Sequence, residues 1–261
     1  MSPLNQIKCF LLDMDGTIYL GDELIDGALE FLNTVKRQKK RYIFITNNSS
    51  KNRGAYVKKL NGMGIPACPD DVFTSGEAAT ICLNRVMPGA NVYLLGTPAL
   101  KDEFMEAGFK LVKNKTPDCV VLGFDTTLTY DKLRAACDFI RAGVPYYATH
   151  PDLNCPVEGG RHMPDAGSMI AFIKASTKQT PVVFGKPNRF IVEAIMDKYG
   201  LIKNETAIVG DRLYTDIKTG VDFGMTSILV LTGETTGAMG ARSRIKSDYA
   251  FGSVKEIIPY L

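Results

Sequence analysis

The chain has 261 residues, 45% of them hydrophobic, and a formal net charge of +3. A chain of that size can bury a substantial core, as one large domain or two smaller ones. The small charge imbalance and the lack of any long block of like charges argue against a nucleic-acid partner. No apolar run is long enough to cross a bilayer and no charged leader precedes one, so a cytoplasmic protein with no membrane partner is expected.

The first element is an apolar run, residues 7–12, that stops abruptly at Asp13 and Asp15, followed by Gly16 and Thr17. A short continuous apolar run bounded by turn residues fits a strand buried on both faces. Alternate residues of an extended segment share a side, so both carboxylates would face one way if that geometry persists. Side by side and buried, they need a cation, a shared proton or a nearby base. The plainer alternative is that Asp13 ends the strand and Asp15-Gly16 makes a turn.

Residues 18–26 read as a loop and 27–39 as a helix, with apolar residues at Ala28, Leu29, Leu32 and Val35. The basic run 36–41 falls at its end, where it complements the helix dipole. A second buried strand, 41–45, ends in Thr46-Asn47-Asn48-Ser49-Ser50. These hydroxyls and amides either meet a ligand or cap a helix over 52–63. Further strands are expected at 72–75, 92–95, 119–122, 146–148, 182–184, 207–209, 227–231 and 248–251. Helices are expected at 77–86, 98–107, 130–141, 168–175, 190–199, 214–223 and 254–260, with a long polar loop at 150–167. Six cysteines (Cys9, Cys68, Cys82, Cys119, Cys137, Cys155) form no C-x-x-C pair and are expected to be reduced.

Such alternation predicts an α/β fold with a doubly wound parallel sheet, in which ligands bind beyond the carboxyl ends of the strands. The polar clusters fall at those ends: Asp13, Asp15 and Thr17; Thr46 with Asn47; Lys186 between Gly185 and Pro187; and Asp211 with Asp216 in GDRLYTD. Each has a plain reading as a cap, a turn or a solvated charge. Together they form an all-oxygen set with one ammonium, which suits Mg²⁺ bound with a phosphate.

DMDGT at 13–17, the Thr46 strand end, Gly185-Lys186-Pro187 and GDRLYTD resemble, in order, the four motifs of the haloacid dehalogenase-like phosphatases. ATHPD at 148–152 and VVLGFD at 120–125 resemble the branch with a type-two cap, the NagD-like and 4-nitrophenylphosphatase-like enzymes. The resemblance covers essentially the whole chain. It implies a Rossmann-like core, 1–79 with 181–261, and an inserted α/β cap, 80–180. Periodicity alone marks no such insertion and draws one continuous sheet.

The resemblance also implies roles. Asp13 is the expected nucleophile and Asp15 the acid and base; Thr46, Asn47 and Lys186 are expected to hold the phosphoryl group. Mg²⁺ is expected on Asp13, Asp15 and Asp211, with Asp216 behind them. The implied substrate is a small phosphomonoester, such as a sugar phosphate or nucleoside monophosphate, with 4-nitrophenyl phosphate as a surrogate. The loop 149–167 is the expected specificity element, with His150, Asn154, Arg161 and His162 as candidates; MPDAGS at 163–168 departs from the proline-glycine run of many relatives. The alternatives are a phosphotransferase or phosphomutase using the same aspartate, and a regulatory phospho-acceptor domain. The sequence leaves a homo-oligomer open.

Overall fold

Cys9, Phe10, Leu11 and Leu12 are all buried, as the first strand of a sheet covered on both faces requires. The computed structural model describes residues 3–157 and 161–261. In chain order the strands are β1 (Cys9–Leu12), β2 (Tyr19–Leu20), β3 (Glu23–Leu24), β4 (Arg41–Thr46), β5 (Val72–Thr74), β6 (Asn91–Leu95), β7 (Lys110–Leu111) and β8 (Cys119–Leu122). They continue as β9 (Tyr146–Ala148), β10 (Asn154–Val157), β11 (Arg161–Pro164), β12 (Val182–Val183), β13 (Thr206–Gly210), β14 (Thr226–Val230) and β15 (Tyr249–Phe251). The α-helices are α1 (Ala28–Arg37), α2 (Arg53–Gly62), α3 (Ser75–Val86), α4 (Pro98–Glu106), α5 (Tyr130–Arg141), α6 (Ala166–Thr177), α7 (Arg189–Tyr199), α8 (Lys218–Phe223) and α9 (Gly237–Arg242).

The chain divides into two compact units: Met1–Thr46 with Tyr56–Phe73 and Ile195–Leu261, and Asn47–Ala55 with Thr74–Ala194. The first carries a six-stranded sheet in the order β15-β14-β13-β1-β4-β5. β1 lies parallel between β13 and β4, with Leu12 opposite both Val209 and Phe44. From β1 the chain builds β4 and β5 on one side and later β13, β14 and β15 on the other, so the strand order reverses at β1. In open parallel sheets such a reversal leaves a crevice beyond the strand's carboxyl end.

Helix α1 shows how the sequence sets this core. Ala28, Phe31, Leu32 and Val35 are buried, at i, i+3, i+4 and i+7. Leu29, expected in that stripe, is exposed, and Phe31 takes its place edge-on against Phe10 at 5.7 Å between centroids. Burying one such ring stabilises by about 1.5–3 kcal/mol.

The second unit has its own sheet, β12-β9-β8-β6-β7, and its own core around Tyr93, Leu95, Val120, Leu122, Ile140 and Ile173. The single continuous sheet drawn from periodicity is therefore two sheets. The run expected at 182–184 is the two-residue strand β12, and it pairs with β9 through Val182 to Tyr147 and Val183 to Ala148. So short an edge strand carries no periodicity that could tell which sheet it joins.

Other differences have local causes. Part of the expected loop 150–167 is an antiparallel hairpin, β10 with β11; residues 158–160 of that loop lie outside the described residues. β11 is exposed throughout, so it lacks the apolar alternation that announces a strand. The loop at 18–26 likewise holds the short pair β2 and β3. The helix expected at 214–223 begins as a π-helical turn, Leu213–Ile217, before α8, and the last helix is 3₁₀ rather than α. Helix α2 is capped by Asn52, whose Oδ1 accepts from the Ala55 N–H at 3.1 Å, so the run 46–50 is not its cap. Among the described residues none of the six cysteines is in a disulfide. Among the described residues no helix is long and apolar enough to cross a membrane.

Candidate active site

In the first unit the site grows from the ends of neighbouring strands. The Asp13 N–H donates to the Val209 carbonyl at 2.9 Å, carrying the β1–β13 pairing one residue past β1. The chain then turns: the Met14 carbonyl accepts from the N–H groups of Thr17, Ile18 and Tyr19, and the Gly16 N–H donates to the Tyr19 carbonyl at 2.8 Å. Gly16 has φ +83°, and a Cβ there would stand 2.7 Å from Asp211 Oδ2. Only glycine suits both the backbone and the space. So Asp15-Gly16 does make a turn, and Asp13 nonetheless joins a carboxylate group.

That group is Asp13, Asp211 and Asp216, each offering an oxygen within 4.8 Å of the others. Asp13 is half-buried; Asp211 and Asp216 are buried. Burial, and after it the neighbouring Asp216 carboxylate, raise the pKa of Asp211 above the usual range. Asp211 Oδ2 accepts from the Glu234 N–H at 2.6 Å, whereas its Oδ1 is buried with no hydrogen-bond partner among the described residues. Three carboxylates around one unpartnered acceptor oxygen fit a hard divalent cation with oxygen ligands. Asp216 Oδ2 meets the Arg212 N–H and the Thr215 hydroxyl, each at 3.3 Å. Among the described residues the Asp15 carboxylate is not part of this group; it is exposed, with the Tyr19 hydroxyl 3.4 Å from its Oδ2. Thr17 Oγ1 is buried without a hydrogen-bond partner there, and Thr46 ends β4, buried.

In the second unit Asn47, the residue after β4, is bound to Lys186 by two hydrogen bonds. Asn47 Oδ1 accepts from the Lys186 N–H at 2.8 Å, and Nδ2 donates to the Lys186 carbonyl at 2.9 Å and to Asp152 Oδ1 at 3.0 Å. The Ser75 hydroxyl donates to the Asn47 carbonyl. Lys186 is only 2% exposed, so its ammonium is held where a counter-anion is strongly favoured.

The four specificity candidates are not grouped alike. His150 is fully buried, with Nδ1 2.9 Å from Thr149 Oγ1 and Nε2 2.8 Å from Asp165 Oδ1, and Asp165 caps α6. Asn154, Arg161 and His162 lie exposed on the β10–β11 hairpin. Pairing sets Asn154 opposite Pro164 and Pro156 opposite His162, so the pleat puts Asn154 and His162 on one face and Arg161 on the other.

Two groups escape the sequence reading. Ser49 Oγ lies 2.9 Å from Thr149 Oγ1 and accepts from the Phe124 N–H at 2.9 Å, so Ser49 is tied into the second unit. The second group is the segment Thr232-Gly233-Glu234 after β14, which touches Asp211. It stands at a strand's carboxyl end, as the other four clusters do, and its glycine between polar residues is the available signal.

A haloacid dehalogenase-like hydrolase family model matches residues 10–110, and a second, HAD-hydrolase-like model matches 183–257. An acid sugar phosphatase of Staphylococcus aureus is 35% identical over 258 residues, 99% of each chain. The solved 4-nitrophenylphosphatase of Thermotoga maritima is 48% identical, covers 98% of both chains and superposes with a TM-score of 0.95. A glycerol phosphate phosphatase of Mycobacterium tuberculosis, solved in complex with magnesium, is 30% identical with a TM-score of 0.90, covering 98% of this chain and 78% of that one. The chain belongs to the haloacid dehalogenase-like hydrolases. Within them it falls in the NagD-like, 4-nitrophenylphosphatase-like branch, and it is an enzyme of the phosphatase class.

Proposed function

We propose that the protein is a Mg²⁺-dependent phosphomonoester hydrolase that works through an aspartyl-phosphate on a small cytoplasmic metabolite, a sugar phosphate or a similar ester. The observation that carries this reading is the Asp13–Asp211–Asp216 group at the strand-order reversal, with the buried Asp211 Oδ1 lacking a partner among the described residues. The names of the relatives, an acid sugar phosphatase and a glycerol phosphate phosphatase, support the substrate class. Six cysteines with no disulfide among the described residues fit a reducing compartment.

In this reading Asp13 attacks phosphorus and takes the phosphoryl group as an acyl phosphate while the bond to the leaving oxygen breaks. Asp15 gives that oxygen a proton and then takes one from the water that cleaves the acyl phosphate. The Thr46 hydroxyl, the Asn47 N–H and the Lys186 ammonium bind the phosphoryl oxygens, where their charge counts most as the transition state forms. Asp13, the Asp15 carbonyl and Asp211 would hold the metal, and Asp216 would orient that set. Mg²⁺, when bound, supplies positive charge that offsets the anionic phosphoryl group and the carboxylates. The unit holding the β10–β11 hairpin takes the part of the cap, expected at 80–180, that selects the leaving group.

The test is a panel of phosphomonoesters ranked by kcat/KM with Mg²⁺, with chelator and with Ca²⁺. Hydrolysis of sugar phosphates and 4-nitrophenyl phosphate should need Mg²⁺, vanish with chelator and be poorly supported by Ca²⁺, whose larger radius tolerates irregular ligand sets. Full activity after exhaustive chelation would rule the metal out.

A further inference from the structure

Strand β14 ends at Val230, and the segment that follows touches both elements of the carboxylate group. Thr232 Oγ1 donates to the Gly16 carbonyl at 2.6 Å, one residue beyond Asp15. The Glu234 N–H donates to Asp211 Oδ2 at 2.6 Å, and the Thr235 N–H reaches the Asp211 carbonyl at 3.3 Å. Between them, Gly233 packs so closely that its Cα would stand 3.0 Å from a Cβ on Gly16, and a Cβ of its own would overlap the Asp211 carboxylate. The Glu234 side chain is itself tied down: Arg212 Nε donates to its Oε2 at 3.1 Å and the Tyr214 hydroxyl at 2.9 Å.

We infer that Thr232, Gly233 and Glu234 are positioning residues that fix the Asp211 carboxylate and the turn after β1, held at the Gly16 carbonyl, relative to each other for a bound cation. Asp211 could present either oxygen, and a rotating carboxylate holds a metal less well than a fixed one. The Glu234 N–H engages Oδ2 and leaves Oδ1 as the oxygen available. Thr232 does the same service for the turn after β1, by gripping its main chain at the Gly16 carbonyl. One short segment thus couples ligand-bearing elements from opposite ends of the chain. Arg212 and Tyr214 close the circuit by anchoring Glu234 to the residues that follow Asp211 itself.

The inference rests on the reading of Asp211 as a cation ligand, so the experiment separates the two. Mg²⁺ is titrated into the substrate-free protein, with binding read from the rise in melting temperature, which follows the ratio of ligand to Kd. The variants are Asp211→Asn, Thr232→Val, Thr232→Ser and Gly233→Ala. Thr232→Val and Gly233→Ala are expected to weaken Mg²⁺ binding by about tenfold or more, the size typical of residues that orient metal ligands. Thr232→Ser, which keeps the hydroxyl, should bind as wild type, and the metal-free melting temperatures of the two Thr232 variants should stay close to wild type. Should Gly233→Ala fail to fold, Thr232→Val decides alone, since Thr232 is partly exposed and valine matches its shape. Loss of binding in Asp211→Asn with wild-type binding in Thr232→Val overturns the inference and leaves the metal reading standing. Wild-type binding in Asp211→Asn overturns both.

Discussion

Asn47 holds Lys186 by both ends of its backbone: Oδ1 accepts the Lys186 N–H at 2.8 Å and Nδ2 donates to the Lys186 carbonyl at 2.9 Å. The residues are 139 apart in sequence, and no other side chain type offers one acceptor and two donors so compactly except glutamine, which is longer. The amide therefore fixes where the lysine side chain starts, independently of the Asn47 backbone N–H proposed to bind phosphate.

Asn47→Ala is expected to lower kcat/KM by about a hundredfold, the cost of misplacing a charged group by an ångström or so. Asn47→Asp should be worse, because a carboxylate cannot donate to the Lys186 carbonyl and would face the Asp152 oxygen. Steady-state kinetics on 4-nitrophenyl phosphate reads both. Wild-type kinetics in Asn47→Ala would show that the lysine needs no such clamp.

Glu103 gives a pH dependence of stability. It is buried on α4, and the Thr74 hydroxyl donates to its Oε1 at 3.1 Å while Oε2 has no hydrogen-bond partner among the described residues. Burial raises its pKa to about 7 from 4.5. The folded protein then holds a proton that the unfolded chain has lost between those values, so stability falls as pH rises through that window. A tenfold difference in proton affinity is worth about 1.4 kcal/mol, so the loss by pH 8 is on the order of a few kcal/mol. In urea unfolding, Glu103→Gln should match wild type near pH 4.5 and exceed it at pH 8. An identical pH profile for the two proteins would mean that Glu103 does not carry this proton.

The β10–β11 hairpin allows a test of specificity that the sequence alone could not frame. Because Asn154 and Arg161 face opposite sides of the ribbon, a single leaving group is expected to meet one side only. Either Arg161→Ala, or Asn154→Ala together with His162→Ala, should lower kcat/KM for the best natural ester by about 1–3 kcal/mol in transition-state terms. 4-Nitrophenyl phosphate, lacking the polar partner, should change much less. Equal losses on both substrates from both faces would assign the hairpin to stability or closure instead.

What is legible in the sequence follows from where the signal lies. Asp13, Asp15, Thr46, Lys186 and Asp211 are each announced by an apolar run that stops at a polar residue, and that contrast survives without a structure. The family resemblance gives Asn47 a phosphate contact, but its side-chain grip on Lys186 is invisible in the sequence, since spacing says nothing of contacts across 139 residues. His150 reads as a loop residue because its partner, Asp165, is a helix cap whose burial no local pattern reveals. The hairpin and β12 are hidden for a related reason: exposed or two-residue strands have no alternation to read. Glu234 lies after the last long strand, where a lone acid reads as an ordinary turn residue.

If Asp13 carries the phosphoryl group, the acyl phosphate can be trapped on it during turnover. Enzyme quenched during turnover of 4-nitrophenyl phosphate with Mg²⁺ is reduced with borohydride, which converts an acyl phosphate to an alcohol, and the peptides are mapped by mass. Conversion of Asp13 to homoserine is expected, in peptides from turning-over enzyme and not from Asp13→Asn. Undiminished turnover with Asp13 left as aspartate, or the modification found at Asp15, Asp211 or Asp216 instead, would contradict it.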